Sequence, residues 1–467
     1  VRDWGRSLTL AVCLAAAVST IFVTPARAGD VARGICQPGL VEDWRDDGPA
    51  LIDEFADTLG ADVVRINFCW SDAELAPGVY ESDYIGRAVS AIRAARARGM
   101  QVLVVVYETP SWASDRSVWG TAPPGDEAGV YHSYYPPSLG SLDELTAFMT
   151  HLSSLLRGEV LAYSCWVEPN LWAYLYPQRT ASDASFGVRR YAAMLEAFFA
   201  GVRAGDPAAK VVAGETCPTG DDSRLRTSPQ RFARRLAALG GARSFDVYAH
   251  HPYPTGGNAH IAPGALPDDT RHTVWLANLD TLLDVFPGKP FYLSEYAYPT
   301  VYSLLFGMSV SEPRQAEYLR AALRIAARHD QVEMLVWFPR SDYADNGTYR
   351  DAMGHYCGLV RLDGSRKRAY YVFAGGNKLT LGDLGAVSPG GLLTLQGTLT
   401  NARMGPLGGK QLVVLAHRPN RPWVEIARTT TWADGTYRIG LRPYASATWK
   451  VRWTGVVTSP RRWAPVR

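Results

Sequence analysis

The chain has 467 residues, of which 47% are hydrophobic and 20% charged, with a formal net charge of only +3. That length allows two or three domains with a large core, and the composition is that of a folded globular protein rather than a disordered one. No basic run or stripe marks a nucleic-acid surface, and no Gly-rich phosphate loop follows the first apolar run, so a nucleotide role is not expected.

The first 28 residues read as a secretory leader. Arg2 and Arg6 precede a mostly apolar stretch from Leu8 to Val23, and Ala26-Arg27-Ala28 supplies small residues at a cleavage position. This predicts a mature start at Gly29, a secreted or extracellular location, possible at the cell surface, and no stable membrane association after cleavage. Cys13 lies inside the leader. The remaining five cysteines, Cys36, Cys69, Cys165, Cys217 and Cys357, include no Cys-x-x-Cys pair. An odd number leaves at least one thiol unpaired. Buried free thiols and one or two disulfides are both open.

From residue 30 to about 375, short apolar runs alternate with amphipathic helical stretches. The runs are 31–36, 62–70, 101–107, 160–166, 210–214, 245–249, 290–294 and 332–338. Several are rich in β-branched residues and bounded by Gly or Pro, as in a parallel strand buried on both faces. Helical patterns occupy 49–59, 83–98, 141–156, 186–203, 229–239, 271–285 and 313–328. Ser141-Leu142-Asp143-Glu144 reads as a capping box and Gly99 as a helix stop. Eightfold alternation of strand and helix predicts a (β/α)8 TIM barrel over residues 29–375. The long segment 109–137, with Trp112, Trp119, Tyr131, Tyr134 and Tyr135, is expected on the catalytic face of such a barrel.

After Phe373 the pattern changes. Residues 376–390 read as a linker, and short alternating strands at 392–399, 411–416, 423–431, 436–441 and 448–453 predict a small all-β sandwich of Ig-like kind over 391–458. A basic tail, 459–467, is expected to fray.

Two glutamates stand at the ends of predicted strands. Glu168 follows the fourth in Trp166-Val167-Glu168-Pro169-Asn170, and Glu295 ends the seventh in Tyr292-Leu293-Ser294-Glu295-Tyr296. The C-terminal ends of barrel strands carry the chemistry of this fold, and two facing carboxylates suit cleavage of a glycosidic bond. A lone Glu after a strand is more often a surface or ion-pair residue; the paired positions favour function.

These motifs resemble the clan A glycoside hydrolases, most of all family 39 and its relatives, over residues 30–375. The resemblance implies Glu168 as acid/base, Glu295 as nucleophile, and Arg65 on the second strand beside the nucleophile. It also implies Tyr253 as a hydrogen-bond donor to Glu295, with His251 sharing the cleft because residues two apart on a strand face the same way. His250 is expected to point away. Trp337, ending the eighth strand, and Trp112, after the third, are expected as platforms under a sugar. The substrate implied is an oligosaccharide or polysaccharide, and neither metal nor cofactor is required. One position departs from the pattern: the asparagine that normally precedes the acid/base, and donates to the sugar 2-hydroxyl, is Val167 here. Asn67 or Asn170 could take its place, the substrate could lack that hydroxyl, or the barrel could be a sugar-binding pseudoenzyme or cell-wall-associated carbohydrate-binding protein. Glu215, after the fifth strand, is read as a secondary binding or structural residue.

Overall fold

The computed structural model describes residues 31–119, 132–255, 261–303, 306–344, 356–375, 378–400, 406–419, 421–453 and 457–467. The expected leader and Tyr131 lie outside them. Eight parallel strands close into a barrel: β1 (Ala32–Cys36), β2 (Val63–Cys69), β3 (Gln101–Tyr107), β4 (Ala162–Cys165), β5 (Lys210–Thr216), β6 (Val247–His250), β7 (Phe291–Tyr296) and β8 (Val332–Trp337). Each pairs with its neighbours in sequence, and β8 returns to β1 with Ala32 opposite Met334. Alternate residues face inward. Leu103, Val105, Ala162, Val212, Val247, Met334 and Val336 fill the interior as one apolar cluster, so the barrel is a packed core and the cleft lies above it.

The outward set packs beneath the helices. Ser82–Ala97, for example, buries Ile85, Ala88, Ala91, Ile92 and Ala95 on one face, and Gly99, at φ +74, ends it. Ser141 does not cap the helix Leu142–Leu155 with its side chain; its hydroxyl bonds Ser138 at 2.8 Å instead. The helix expected over 271–285 does not form. The Val274 N–H donates to the Pro218 carbonyl, Thr273 bridges Thr219, and Asn278 accepts from the Trp275 N–H. The first two tie the segment to the loop after β5 and the third is local; together they displace regular helix, leaving the single turns Leu276–Asn278 and Asp280–Leu283.

Beyond the barrel, two antiparallel sheets form a sandwich over a core that includes Leu395, Leu412, Val414, Tyr437, Trp449 and Val451. The expected linker and tail belong to it. Lys378–Leu379 pairs with the end of Leu393–Thr400, and Arg462–Ala464 pairs with Ala447–Trp453. Val387 bridges Val466, tying the linker segment to the tail. No helix among the described residues is long and apolar enough to cross a membrane. Cys36, Cys69, Cys165, Cys217 and Cys357 are all buried free thiols.

Candidate active site

Three carboxylates meet at the C-terminal mouth of the barrel, and irregular backbone aims each of them. β7 advances three steps from Leu293 to Tyr296 while β8 advances two from Leu335 to Trp337, so β7 carries one extra residue at Ser294-Glu295. On β5, Ala213 pairs with Tyr248 and Thr216 with His250, which places a second bulge at Gly214-Glu215. A bulge reverses the alternation and redirects a side chain; here it turns Glu295 and Glu215 inward. Gly214 sits at φ +95, and a Cβ there would lie 2.6 Å from the Ala249 carbonyl oxygen, so only glycine fits. At the end of β4, Trp166 at φ +72 and Glu168 at φ +37 are both left-handed. Each such residue costs about 1–3 kcal/mol, and such costs gather at functional sites.

One hydrogen-bonded network joins the side chains. Arg65 Nη2 lies 2.9 Å from Glu295 Oε1 and 2.9 Å from Glu215 Oε2, and Arg65 Nη1 donates to Asn67 Oδ1 at 2.7 Å. The Tyr253 hydroxyl donates to Glu295 Oε2 at 2.9 Å. The His251 ring spans the rest, with Nδ1 at 3.0 Å from Glu168 Oε1 and 3.6 Å from Glu295 Oε2, and Nε2 at 3.1 Å from Glu215 Oε2. An oxygen of Glu168 and one of Glu295 lie within 4.8 Å of each other. Glu168 and Glu295 keep 15% and 10% of their side-chain surface exposed, whereas Arg65, Glu215 and His251 keep none. Only the first two can meet a ligand.

Charge in this sealed space is balanced by contact. Burial would lower the His251 imidazole, but Glu295 and the bonds to Glu168 and Glu215 raise it to about 10. Burial would raise Glu215, but the Arg65 charge and His251 hold it down to about 2. Burial works against the Arg65 cation, and Glu295 and Glu215 outweigh it and raise the guanidinium further. His250 points away, as expected. It is fully buried between Thr216 and the Val274 carbonyl, and burial pushes it down to about 3. Glu168, His251 and Glu295 present three potential metal ligands. Both ring nitrogens of His251 already lie within hydrogen-bond distance of carboxylates, Nδ1 of Glu168 and Nε2 of Glu215, so neither is free to bind an ion.

Two expected binding residues, Trp337 and Asn170, are buried out of reach of a ligand. Trp337 is fully buried on the outer face of the barrel with the helix-packing core, its indole N–H donating to the Cys357 carbonyl at 3.0 Å. Its neighbour Phe338 is the aromatic that faces inward, half-buried against the interior cluster with Tyr107 and Tyr174. Val336 and Phe338 share one face and Trp337 the other, so strand parity alone distinguishes them. Trp112, half-buried in the loop after β3, packs edge-on against Trp70 and donates its indole N–H to the Glu74 carbonyl at 3.0 Å. Asn170 is fully buried, its amide donating to the Cys217 and Thr227 carbonyls and accepting from the Cys217 N–H. It locks the loop after Glu168 and has no group left for a ligand. Asn67 stands half-buried at the mouth. Val167 packs with the apolar interior. Tyr134, Tyr135, Trp172 and Tyr176, with Val118, form a small core of their own beneath the loop after β3.

The fold is that of solved glycoside hydrolases. A family 39 glycoside hydrolase from the gut symbiont Bacteroides cellulosilyticus WH2 is 16% identical and superposes with a TM-score of 0.51, covering 90% of this chain and 80% of that one. A beta-glycosidase, BGL167, is 15% identical at a TM-score of 0.51 over 75% of this chain and 96% of its own. A GH5_18 protein from Bifidobacterium longum subsp. infantis is 16% identical at 0.52, over 82% and 87%. The shared feature is the eight-stranded parallel barrel fold. No family model matches the sequence, and no curated protein matches it.

Proposed function

We propose that the chain is a secreted retaining glycoside hydrolase acting on O-glycosidic bonds of β-linked oligosaccharides or polysaccharides. The observation that carries the reading is the approach of Glu168 and Glu295 to within 4.8 Å, oxygen to oxygen. Retaining enzymes hold their carboxyl groups about 5–5.5 Å apart, whereas inverting enzymes hold them about 6.5–9.5 Å apart to admit a water. Glu295 attacks the anomeric carbon as the bond to the leaving oxygen breaks, and Glu168 gives that oxygen its proton. The glycosyl group is then esterified to Glu295. Glu168 takes a proton from water, the water oxygen bonds the anomeric carbon, and Glu295 is released. Arg65 and Tyr253 fix the two oxygens of Glu295, and His251 fixes one oxygen of Glu168. The β-linkage rests on fold likeness to the beta-glycosidase BGL167, and secretion on the leader pattern of residues 1–28.

Val167 supports a second reading, a sugar-binding protein on the same scaffold, because valine cannot donate to a sugar hydroxyl. One experiment separates the two. A panel of aryl glycosides and polysaccharides is offered to the wild type and to Glu295→Gln. A glycosidase releases product in the wild type only; a binder releases none and holds the same polysaccharides equally well in both proteins.

A further inference from the structure

Glu215 lies on the second bulge, fully buried, at φ +48. It is out of reach of any ligand, yet every polar group that holds the two proposed reacting carboxylates, except Tyr253, leads back to it. Its Oε2 accepts from Arg65, which also pairs with Glu295. The same oxygen accepts from His251 Nε2, and the opposite nitrogen of that ring faces Glu168 and Glu295. Its main-chain carbonyl accepts the N–H of Glu168 at 3.0 Å, which fixes the left-handed backbone that presents the Glu168 side chain. The bulge is itself anchored. The Gly214 N–H donates to the Tyr191 hydroxyl at 2.8 Å, and that hydroxyl donates to the carbonyl of Cys165 at the end of β4.

We infer that Glu215 is a positioning residue that keeps the His251 ring protonated on both nitrogens, so that Nδ1 always donates to Glu168 Oε1 and the Glu168 proton travels through Oε2. The inference rests on the glycosidase reading for its catalytic consequence but not for its structural one. A carboxylate at Nε2 requires a hydrogen on that nitrogen, and its negative charge favours the imidazolium over the neutral ring, so Nδ1 carries a hydrogen as well and serves Glu168 whether Glu168 is acid or base. With an amide at position 215 the ring can become neutral and move its one hydrogen to Nε2. Nδ1 would then accept from Glu168 and retain the proton that the leaving group needs. Raising His251 to about 10 and holding Glu215 at about 2 fit the same arrangement. The groups facing His251 are Glu168 from β4, Glu215 from β5, Glu295 from β7, Arg65 across Glu215, Tyr253 and its neighbour His250. Three of these are carboxylates, and only Glu215 among them takes no part in bond making.

The test combines imidazole nitrogen NMR with kinetics. The nine histidines give a tractable spectrum, and the His251 signals are assigned by their loss in His251→Gln. In the wild type, the inference requires His251 to bear hydrogens on both nitrogens at pH 7; a neutral His251 there overturns it, with no variant or substrate involved. In Glu215→Gln, with circular dichroism matching the wild type, His251 should titrate at least one pH unit lower. On any substrate the wild type turns over, kcat should fall about 100-fold with KM within about threefold, the scale of a disrupted acid–base contact. The alkaline limb of the kcat profile should move to lower pH, and Glu215→Asp should recover part of both. A folded Glu215→Gln protein with unchanged His251 titration and unchanged kcat overturns the inference. A wild type with cationic His251 but no turnover on any substrate would count against the glycosidase reading and leave the His251 arrangement standing.

Discussion

Tyr253 donates its hydroxyl to Glu295 Oε2 at 2.9 Å while Arg65 holds Oε1 at the same distance. Both oxygens of the proposed nucleophile are thereby fixed before any ligand arrives. The Tyr253 ring is stacked near Tyr296 and meets Phe306 edge-on, so a phenylalanine would keep its packing and lose only the hydroxyl. Tyr253→Phe should fold with an unchanged melting temperature and lower kcat by about 100-fold, the effect of one preorganised donor. Steady-state kinetics beside a thermal melt checks this; a fall in melting temperature matching the fall in activity would assign Tyr253 a structural role instead.

We propose Asn67 as the group that replaces the asparagine missing at position 167. Arginine only donates, so the bond from Arg65 Nη1 requires the Asn67 oxygen to face Arg65. The amide nitrogen of Asn67 is thereby turned away from Arg65 and is available to a sugar hydroxyl, whereas both ends of the Asn170 amide are engaged by backbone. Asn67→Ala should lower kcat/KM by about 10²-fold on a glycoside with a free 2-hydroxyl. On the matching 2-deoxy glycoside the same substitution should change little. Equal losses on both substrates would remove Asn67 from that contact.

The barrel was legible because its strands are buried on both faces and read as continuous β-branched runs. All eight lie within a few residues of the runs in the sequence, and Arg65, Glu168, His251, Tyr253 and Glu295 converge as the motifs implied. The rest depended on features that periodicity does not carry. Glu215 faces the site only because a bulge breaks the alternation of β5, and a Gly-Glu pair near a strand end is the one local signal of it. Trp337 and Phe338 differ by a single step of strand parity, which an uncertain strand end cannot resolve. The use of Asn170 by backbone two loops away, and the replacement of helix by loop contacts over 271–285, are tertiary facts. The segments 376–390 and 459–467 look like linker and tail by composition, and each is held by pairing with strands distant in sequence.

Charge linkage gives a prediction for stability. The folded pKa of His251 is raised from 6.5 to about 10, so its contribution is complete below pH 6.5 and is lost as pH rises through about 10. The folded pKa of Glu215 is depressed from 4.5 to about 2, so its contribution is complete above pH 4.5 and is lost as pH falls through about 2. The stability difference between wild type and Glu215→Gln, from urea unfolding, should therefore be largest between pH 4.5 and 6.5 and shrink on both sides. A difference independent of pH would mean that the pair is not ionised as the contacts imply.

The most direct test of the central claim is the configuration of the first product. Proton NMR of the anomeric signal, recorded within minutes of adding enzyme to a glycoside it cleaves, separates retention from inversion before mutarotation mixes them. With Glu168 and Glu295 oxygens within 4.8 Å, the expected first product has the same anomeric configuration as the substrate, and Glu295→Gln yields none. An inverted first product, or turnover undiminished in a folded Glu295→Gln protein, would contradict the claim.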